Sequence, residues 1–327
     1  MISLEIIVFA TYYDGMTKLI MVILVTGGSG LIGSGLIAHL ELLGHTVIRL
    51  VRSSNKLNDK AVLWSTSTGY FPWDNSIQID AMVHLAGETI LGLWTQAKKR
   101  RIYDSRVTTT QQLSKFLASL KYPPRTLIAA SATGYYGDRS EEVLIEESLP
   151  GKGYLPSVCQ EWEEATESAQ RAGIRVINLR IGVVLSSRGG ILAHIKPPFL
   201  MGLGGKIGTG RQYMSWITRE DLVSIIQYIL ETEEIIGPIN AVSPQPVTNK
   251  YFTQSLGTAL NRPTLFSVPS VVIRSLLGEM GKDLMLASTR VQPQSLEENG
   301  FSFRYPDLTE ALDHLLDPSK PHSNIKA

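Results

Sequence analysis

Residues 26–33 read TGGSGLIG, directly behind the apolar run MVILVTG and directly ahead of a helical stretch over Leu31–Leu43. Glycine permits positive φ in such a turn and lets backbone N–H groups approach a pyrophosphate with no Cβ in the way. The helix start adds unpaired N–H donors and the positive end of its dipole, so anions are held there. Gly27, Gly30 and Gly33, with the first helical residues Leu31 and Ile32, are therefore candidate dinucleotide contacts. Gly33 also lets the helix lie close against the strand. Strand, glycine turn and helix in this order predict the first unit of a Rossmann fold.

The rest of the chain fits that beginning. Gly44 closes the helix, TVIRLV follows as a second strand, and further strands are expected near Ala61–Trp64, Asp80–Leu85, Arg125–Ser131 and Arg175–Leu185. Helices are expected over Thr95–Leu120 and Cys159–Arg171 between them. Alternation of strand and helix at this spacing implies right-handed parallel crossovers, hence an α/β fold with a doubly wound parallel sheet. Beyond Ser186, glycine and proline cluster and the elements shorten, with helical patterns at about 219–231, 249–260, 270–279 and 308–316. The expected organisation is an extension over 1–20, a dinucleotide-binding domain over 21–185, and a smaller α+β substrate lobe over 186–327. The first twenty residues carry Glu5 and Asp14 and lack a basic start and a cleavage pattern, so they read as a poorly ordered or mis-assigned extension ahead of Met16 or Met21.

Composition narrows the partners. A net charge of +1 draws in neither nucleic acid nor an anionic membrane, and no apolar run approaches the roughly 18 residues of a membrane span. One cysteine, Cys159, excludes a disulfide framework within the chain and fits a reducing, cytoplasmic compartment. Six histidines without metal-binding spacing give no metal site. The expected partner is a small-molecule substrate.

The end of the second strand selects the cofactor. An NAD site places Asp or Glu there to hold the ribose 2′-hydroxyl. Here the stretch is IRLVRSSNK, with Arg52 at the strand end and no acid until Asp59. A guanidinium pairs with a 2′-phosphate through two hydrogen bonds where a carboxylate repels it. NADP(H) is the expected cofactor.

TGGSGLIG, HLAGE at 84–88, SATGYYGD at 131–138, VCQEWEEA at 158–165, LRIGVVLSSRGG at 179–190, GLGGKIGTGRQYMSWI at 202–217 and the closing NGFSFRYPDLTEAL occur in this order. Together they resemble the extended short-chain dehydrogenase/reductases, the superfamily of NAD-dependent epimerases and dehydratases. Within it they are similar to an atypical subgroup of small NADP-binding epimerase-like proteins, once labelled cell-division inhibitors. The resemblance implies that Leu85, Ala86 and Gly87 lie along the adenosine side of the cofactor and that Arg106, with Arg101 a turn earlier, contacts it from the long helix. It also implies pairing of two copies into a homodimer through the long helices.

One departure stands out. The superfamily moves a proton with a tyrosine whose pKa a lysine four residues later lowers, because an unassisted phenol, at about 10, is a poor base near neutrality. Aligned on Glu163, Leu155 stands at the tyrosine position and Cys159 at the lysine position. Ser131 survives at the serine position, and Tyr135 or Tyr136 stands close enough in sequence to replace the tyrosine. Glu88, Glu161 and Glu163 are candidate carboxylate bases, and Cys159 a candidate nucleophile. Lys206, Arg211 and Gln212 of the glycine-rich loop offer donors to a substrate, while Trp216 and Ile217 read as core and Asp221 as a cap. Two functions follow: an NADP-dependent oxidoreductase or epimerase acting on a small hydroxylated or carbonyl substrate, or a non-catalytic NADP(H)-binding regulator or sensor.

Overall fold

A computed structural model describes residues 20–316 except 69 and 74–76, together with the backbone of residues 12–13 and 16–17, which pair as a short antiparallel ladder. The expectation for the extension otherwise falls outside the described residues.

Seven strands form one sheet: β1 (Val22–Thr26), β2 (Thr46–Val51), β3 (Ala61–Leu63), β4 (Ala81–His84), β5 (Thr126–Ala132), β6 (Arg175–Ile181) and β7 (Gly237–Ala241). Their spatial order is β7-β6-β5-β4-β1-β2-β3, every pair parallel. The order reverses between β1 and β4, and the carboxyl ends of strands at such a switch point are where open α/β sheets hold ligands.

Both sheet faces are buried, and side-chain alternation divides each strand between two cores. Ile23 and Val25 of β1, with Ala81 and Val83 of β4, pack under α1 (Leu31–Leu42) and the later helix Arg219–Glu231. Leu24 and Met82 face the opposite way, against Leu113, Leu117 and Phe71. A third cluster, including Leu185, Trp216, Phe252 and Leu312, is built from residues beyond the sixth strand.

Three elements differ from expectation, each for a local reason. The single helix expected over 95–120 is interrupted: α2 (Gln96–Tyr103) and α3 (Thr109–Ser119) flank a π-turn over Asp104–Thr108, where the Thr109 hydroxyl donates to the Asp104 carbonyl at 2.9 Å. The helix expected from Cys159 starts earlier, as α4 (Tyr154–Glu164), and breaks where the Thr166 hydroxyl bonds the Glu163 carbonyl before α5 (Glu167–Arg171). The strand expected over 175–185 leaves the sheet at Gly182, and Val183–Ser186 pairs instead with Trp216–Thr218. A Cβ at Gly182 would lie 2.7 Å from the Ser215 carbonyl oxygen, so the crossing needs glycine.

Asp221 ties the far end of the chain to this frame. It is 1% exposed, and its carboxylate accepts from the Thr218 hydroxyl and from the Arg304 and Tyr305 amides at 2.7–3.0 Å. Thr218 in turn caps the helix by accepting from the Asp221 amide. Asp221→Ala takes the acceptor from the buried Tyr305 amide and the part-buried Arg304 amide and is expected to cost about 2 kcal/mol in urea unfolding. A loss below about 0.5 kcal/mol would show that the carboxylate does not hold the closing segment.

Candidate functional site

The glycine turn is sealed by backbone from the neighbouring strand. Gly27 has φ +69°, and a Cβ there would lie 2.7 Å from the carbonyl carbon and oxygen of Leu85. A Cβ at Gly33 would collide with the Gly27 carbonyl oxygen, so helix and turn meet only because the residue is glycine. The first turn of α1 contains no acidic residue and its N-cap, Gly30, offers no side chain. Leu31 and Ile32 turn their side chains to Gly190 and to the core, leaving their backbone as the part that lines the turn.

Thr26 fastens this arrangement. Its hydroxyl oxygen accepts from the Leu85 and Ala86 amides at 3.1 and 3.2 Å, so its own proton is directed to His84 Nδ1 at 2.7 Å. His84 therefore carries its proton on Nε2 and donates to Thr110 Oγ1 at 3.0 Å, where the Trp162 indole N–H also donates. Burial holds the His84 pKa down to about 4, which keeps the ring neutral. His84 was missed in the sequence; a polar residue closing an all-buried strand just ahead of a glycine was the available signal.

Four arginines approach the turn in different ways. Arg52 is exposed in the bend after β2. Arg49, three residues earlier, lies with its stem 3.6 Å from the position of a Gly28 Cβ, on the same side of β2 as Val47. The alternation in TVIRLV was the signal for it. Arg106 is drawn inward by the π-turn: it donates to the Glu88 carbonyl at 2.9 Å, lies 5.0 Å from the Trp162 ring centroid, and stands beside Gly87. Burial lowers its pKa. Arg101 turns to the Glu88 carboxylate at 3.6 Å, which Lys98 also holds at 2.7 Å.

Ser131, Tyr135 and Tyr136 gather around a buried ion pair that the sequence reading did not foresee. Arg180 makes a fork with Glu163 at 2.9 and 2.8 Å, and Ser131 donates to the same carboxylate at 2.7 Å. Another Arg180 nitrogen donates to the Tyr136 hydroxyl and to the Glu146 carbonyl, both at 2.9 Å. The Tyr136 hydroxyl then serves Asn240 Oδ1 at 2.7 Å. Tyr135 lays its ring 3.6 Å from the Arg180 guanidinium carbon. The second arginine of RVINLRI, set between apolar residues near the end of the strand, was the readable clue. The positions aligned with the missing dyad are apolar: Leu155 and Cys159 are buried against Gly134, and burial pushes the Cys159 thiol up to about 12. An inert thiol, not a nucleophile, fits that environment.

The glycine-rich loop is structural along much of its length. Gln212 spends its amide on the Ile207 and Met285 carbonyls, Arg211 is exposed, and Lys206 packs beside Gly210. Trp216 and Ile217 are fully buried, as expected of core. A cavity of about 370 Å³ opens beside Gly134 and Leu155, with Asp138, Lys152, Asp283 and Thr289 among its walls. Among the described residues no His, Cys, Asp and Glu cluster suits a metal, and no helix is long and apolar enough to cross a membrane.

Sheet order and the sealed glycine turn define a Rossmann-type α/β fold. The NAD-dependent epimerase/dehydratase family matches residues 23–241, a domain of unknown function matches 268–315, and the chain belongs to that epimerase/dehydratase family. It is 42% identical to an epimerase family protein of Mycobacterium bovis over 294 residues, covering 90% of this chain and 97% of the relative. YfhF, an epimerase family protein of Bacillus subtilis, is 35% identical over 299 residues, covering 90% and 98%. The human epimerase family protein SDR39U1, solved with NADPH, superposes with a TM-score of 0.82 at 31% identity, covering 90% of this chain and 99% of that one. The family resemblance and the Rossmann architecture are thus borne out.

The His84 environment sets a pH dependence. Its folded pKa is depressed, so the unfolded chain takes up a proton near 6.5 that the folded chain refuses down to about 4. That stability is complete above pH 6.5 and is lost as pH falls through the window toward 4, by roughly 3 kcal/mol. His84→Gln is expected to flatten denaturant-midpoint curves across this window; an unchanged slope would mean that His84 is not held neutral.

Proposed function

We propose that the chain binds NADP(H) at the carboxyl ends of β1 and β4 and uses it on a small hydroxylated or carbonyl substrate. The supporting observation is a juxtaposition: an α1 start without a capping side chain, a glycine turn closed by Leu85 and Ala86, and two arginines near the end of β2. The Leu31, Ile32 and Gly33 amides would hold the pyrophosphate, with Gly27 and Gly30 leaving it room. Arg49 and Arg52 would take the 2′-phosphate. Leu85, Ala86 and Gly87 would line the adenosine side, with Arg106, and Arg101 behind it, supplying positive charge nearby. The NADPH in the human relative supports the same choice.

When bound, NADPH supplies a hydride and its oxidised form accepts one. The chain's own work is to orient the substrate, exclude water and move a proton. Tyr135 is assigned to the wall beside the reacting carbon, with the buried Ser131 and Tyr136 behind it, where the Arg180–Glu163 pair holds all three in place. A second reading, an NADP(H) sensor without turnover, is favoured by the commitments of the groups expected to do chemistry. Ser131, Tyr136, Glu88 and Glu163 are all engaged by other side chains, and Tyr103 donates to Glu161 at 2.6 Å.

Thermal unfolding with each cofactor tests the binding. NADPH at 100 times its Kd should stabilise by about 2.7 kcal/mol and raise Tm by several degrees, with little response to NADH. The double variant Arg49→Ala, Arg52→Ala should weaken NADPH roughly 10- to 100-fold and leave NADH unchanged. Equal shifts for the two cofactors, or an unaffected double variant, would sink the NADP(H) assignment. NADPH oxidation with a panel of small carbonyl compounds separates the two readings: turnover supports the enzyme, and binding without turnover the sensor.

A further inference from the structure

The catalytic reading leaves the proton without a carrier, because Leu155 and Cys159 stand where the superfamily keeps its dyad. The cavity beside Gly134 and Leu155 contains one carboxyl group that, among the described residues, accepts no hydrogen bond and forms no ion pair. Asp138, also in the wall, accepts from the Ser140 and Ser288 amides. Glu88, Glu161 and Glu163, outside the cavity, are held by Lys98, Tyr103 and Arg180. Asp283 lies in the π-turn Gly281–Leu286, half-buried in the cavity wall, and among the described residues no hydrogen bond or ion pair engages it.

The geometry points to Asp283 as the group that exchanges a proton with the substrate in this cavity, in the role of the absent tyrosine. The assignment rests on the catalytic reading above. Burial raises the Asp283 pKa, and Glu279, one helical turn earlier, raises it further, while Lys282 and Lys99 pull it down. Lys282, Arg139 and Lys152 are the other charged side chains in the cavity wall besides Asp138, and Arg139 is neutralised by a fork to Glu142. A carboxyl in this setting keeps its proton to higher pH than a solvated aspartate.

In the reductive direction the carbonyl carbon receives a hydride from NADPH and the C=O π pair moves to oxygen. The Asp283 O–H bond breaks as its proton passes to that oxygen. The products are an alcohol, NADP⁺ and the Asp283 carboxylate, which regains a proton from solvent. Oxidation of an alcohol runs the same transfers backwards.

Two measurements test this. First, the ¹³C carboxyl resonance of Asp283, assigned with Asp283→Asn, is titrated with and without NADPH. The expected pKa lies above the ordinary aspartate value of about 3.9 and falls in Glu279→Gln, which removes the repelling charge and frees Lys99. Second, carbonyl reduction is followed against pH. Asp283→Asn should lower kcat about 10²- to 10⁴-fold at unchanged NADPH affinity and Tm, and Glu279→Gln should move the high-pH limb of kcat/KM to lower pH. An ordinary Asp283 pKa, or an Asp283→Asn enzyme with the wild-type kcat and profile, overturns the assignment while leaving the catalytic reading standing. A wild-type protein that binds NADPH and reduces nothing in the panel overturns both.

Discussion

The hydroxyl of Thr26 is the point on which the site depends. It receives two amides from the segment after β4 and gives its proton to His84, so one oxygen joins the carboxyl ends of the two strands that flank the switch point. The glycine turn works only against this closed partner. Gly27 can lie on Leu85 because Leu85 is held down, and Leu85 is held down because His84 stays neutral and buried. The network then continues through Thr110 and Trp162 to α4, so the glycine-turn side and α4 form one hydrogen-bonded unit.

The second fixed point is the Arg180–Glu163 pair. Removing two charges from water is costly, and such a pair persists where the remaining donors and acceptors are satisfied. Here they are: Glu163 also accepts from Ser131, and Arg180 also serves Tyr136 and the Glu146 carbonyl. The arrangement makes a rigid wall from residues that would otherwise be candidates for chemistry. The proposed proton carrier stands instead in the π-turn after the helix Ser270–Met280.

Much of the fold was legible in local order. The glycine turn, the parallel strands and the buried Trp216 follow from residue type and spacing, because each depends on neighbours a few positions away. Features that depend on distant partners were not. Arg52 stands at the strand end, yet it is Arg49 whose stem reaches the turn at Gly28, because alternation along β2 sets its side. The π-turn over Asp104–Thr108 hides in a continuous helical pattern, its visible mark a single threonine hydroxyl bonded to the Asp104 carbonyl. Arg180 and Glu163 sit 17 residues apart on different elements, and nothing in either local stretch announces the pair. Asp283 is the extreme case: it has no motif around it, and only the folded chain brings it beside Leu155.

The central claim is that the α1 start and the Leu85–Gly87 segment together form the dinucleotide site, and amide hydrogen exchange with and without NADPH tests it most directly. The account predicts that saturating NADPH slows exchange over residues 27–33 and 85–88, with NADH at equal concentration giving far less protection. Unchanged exchange in both segments, or protection confined to other parts of the sheet, would contradict it.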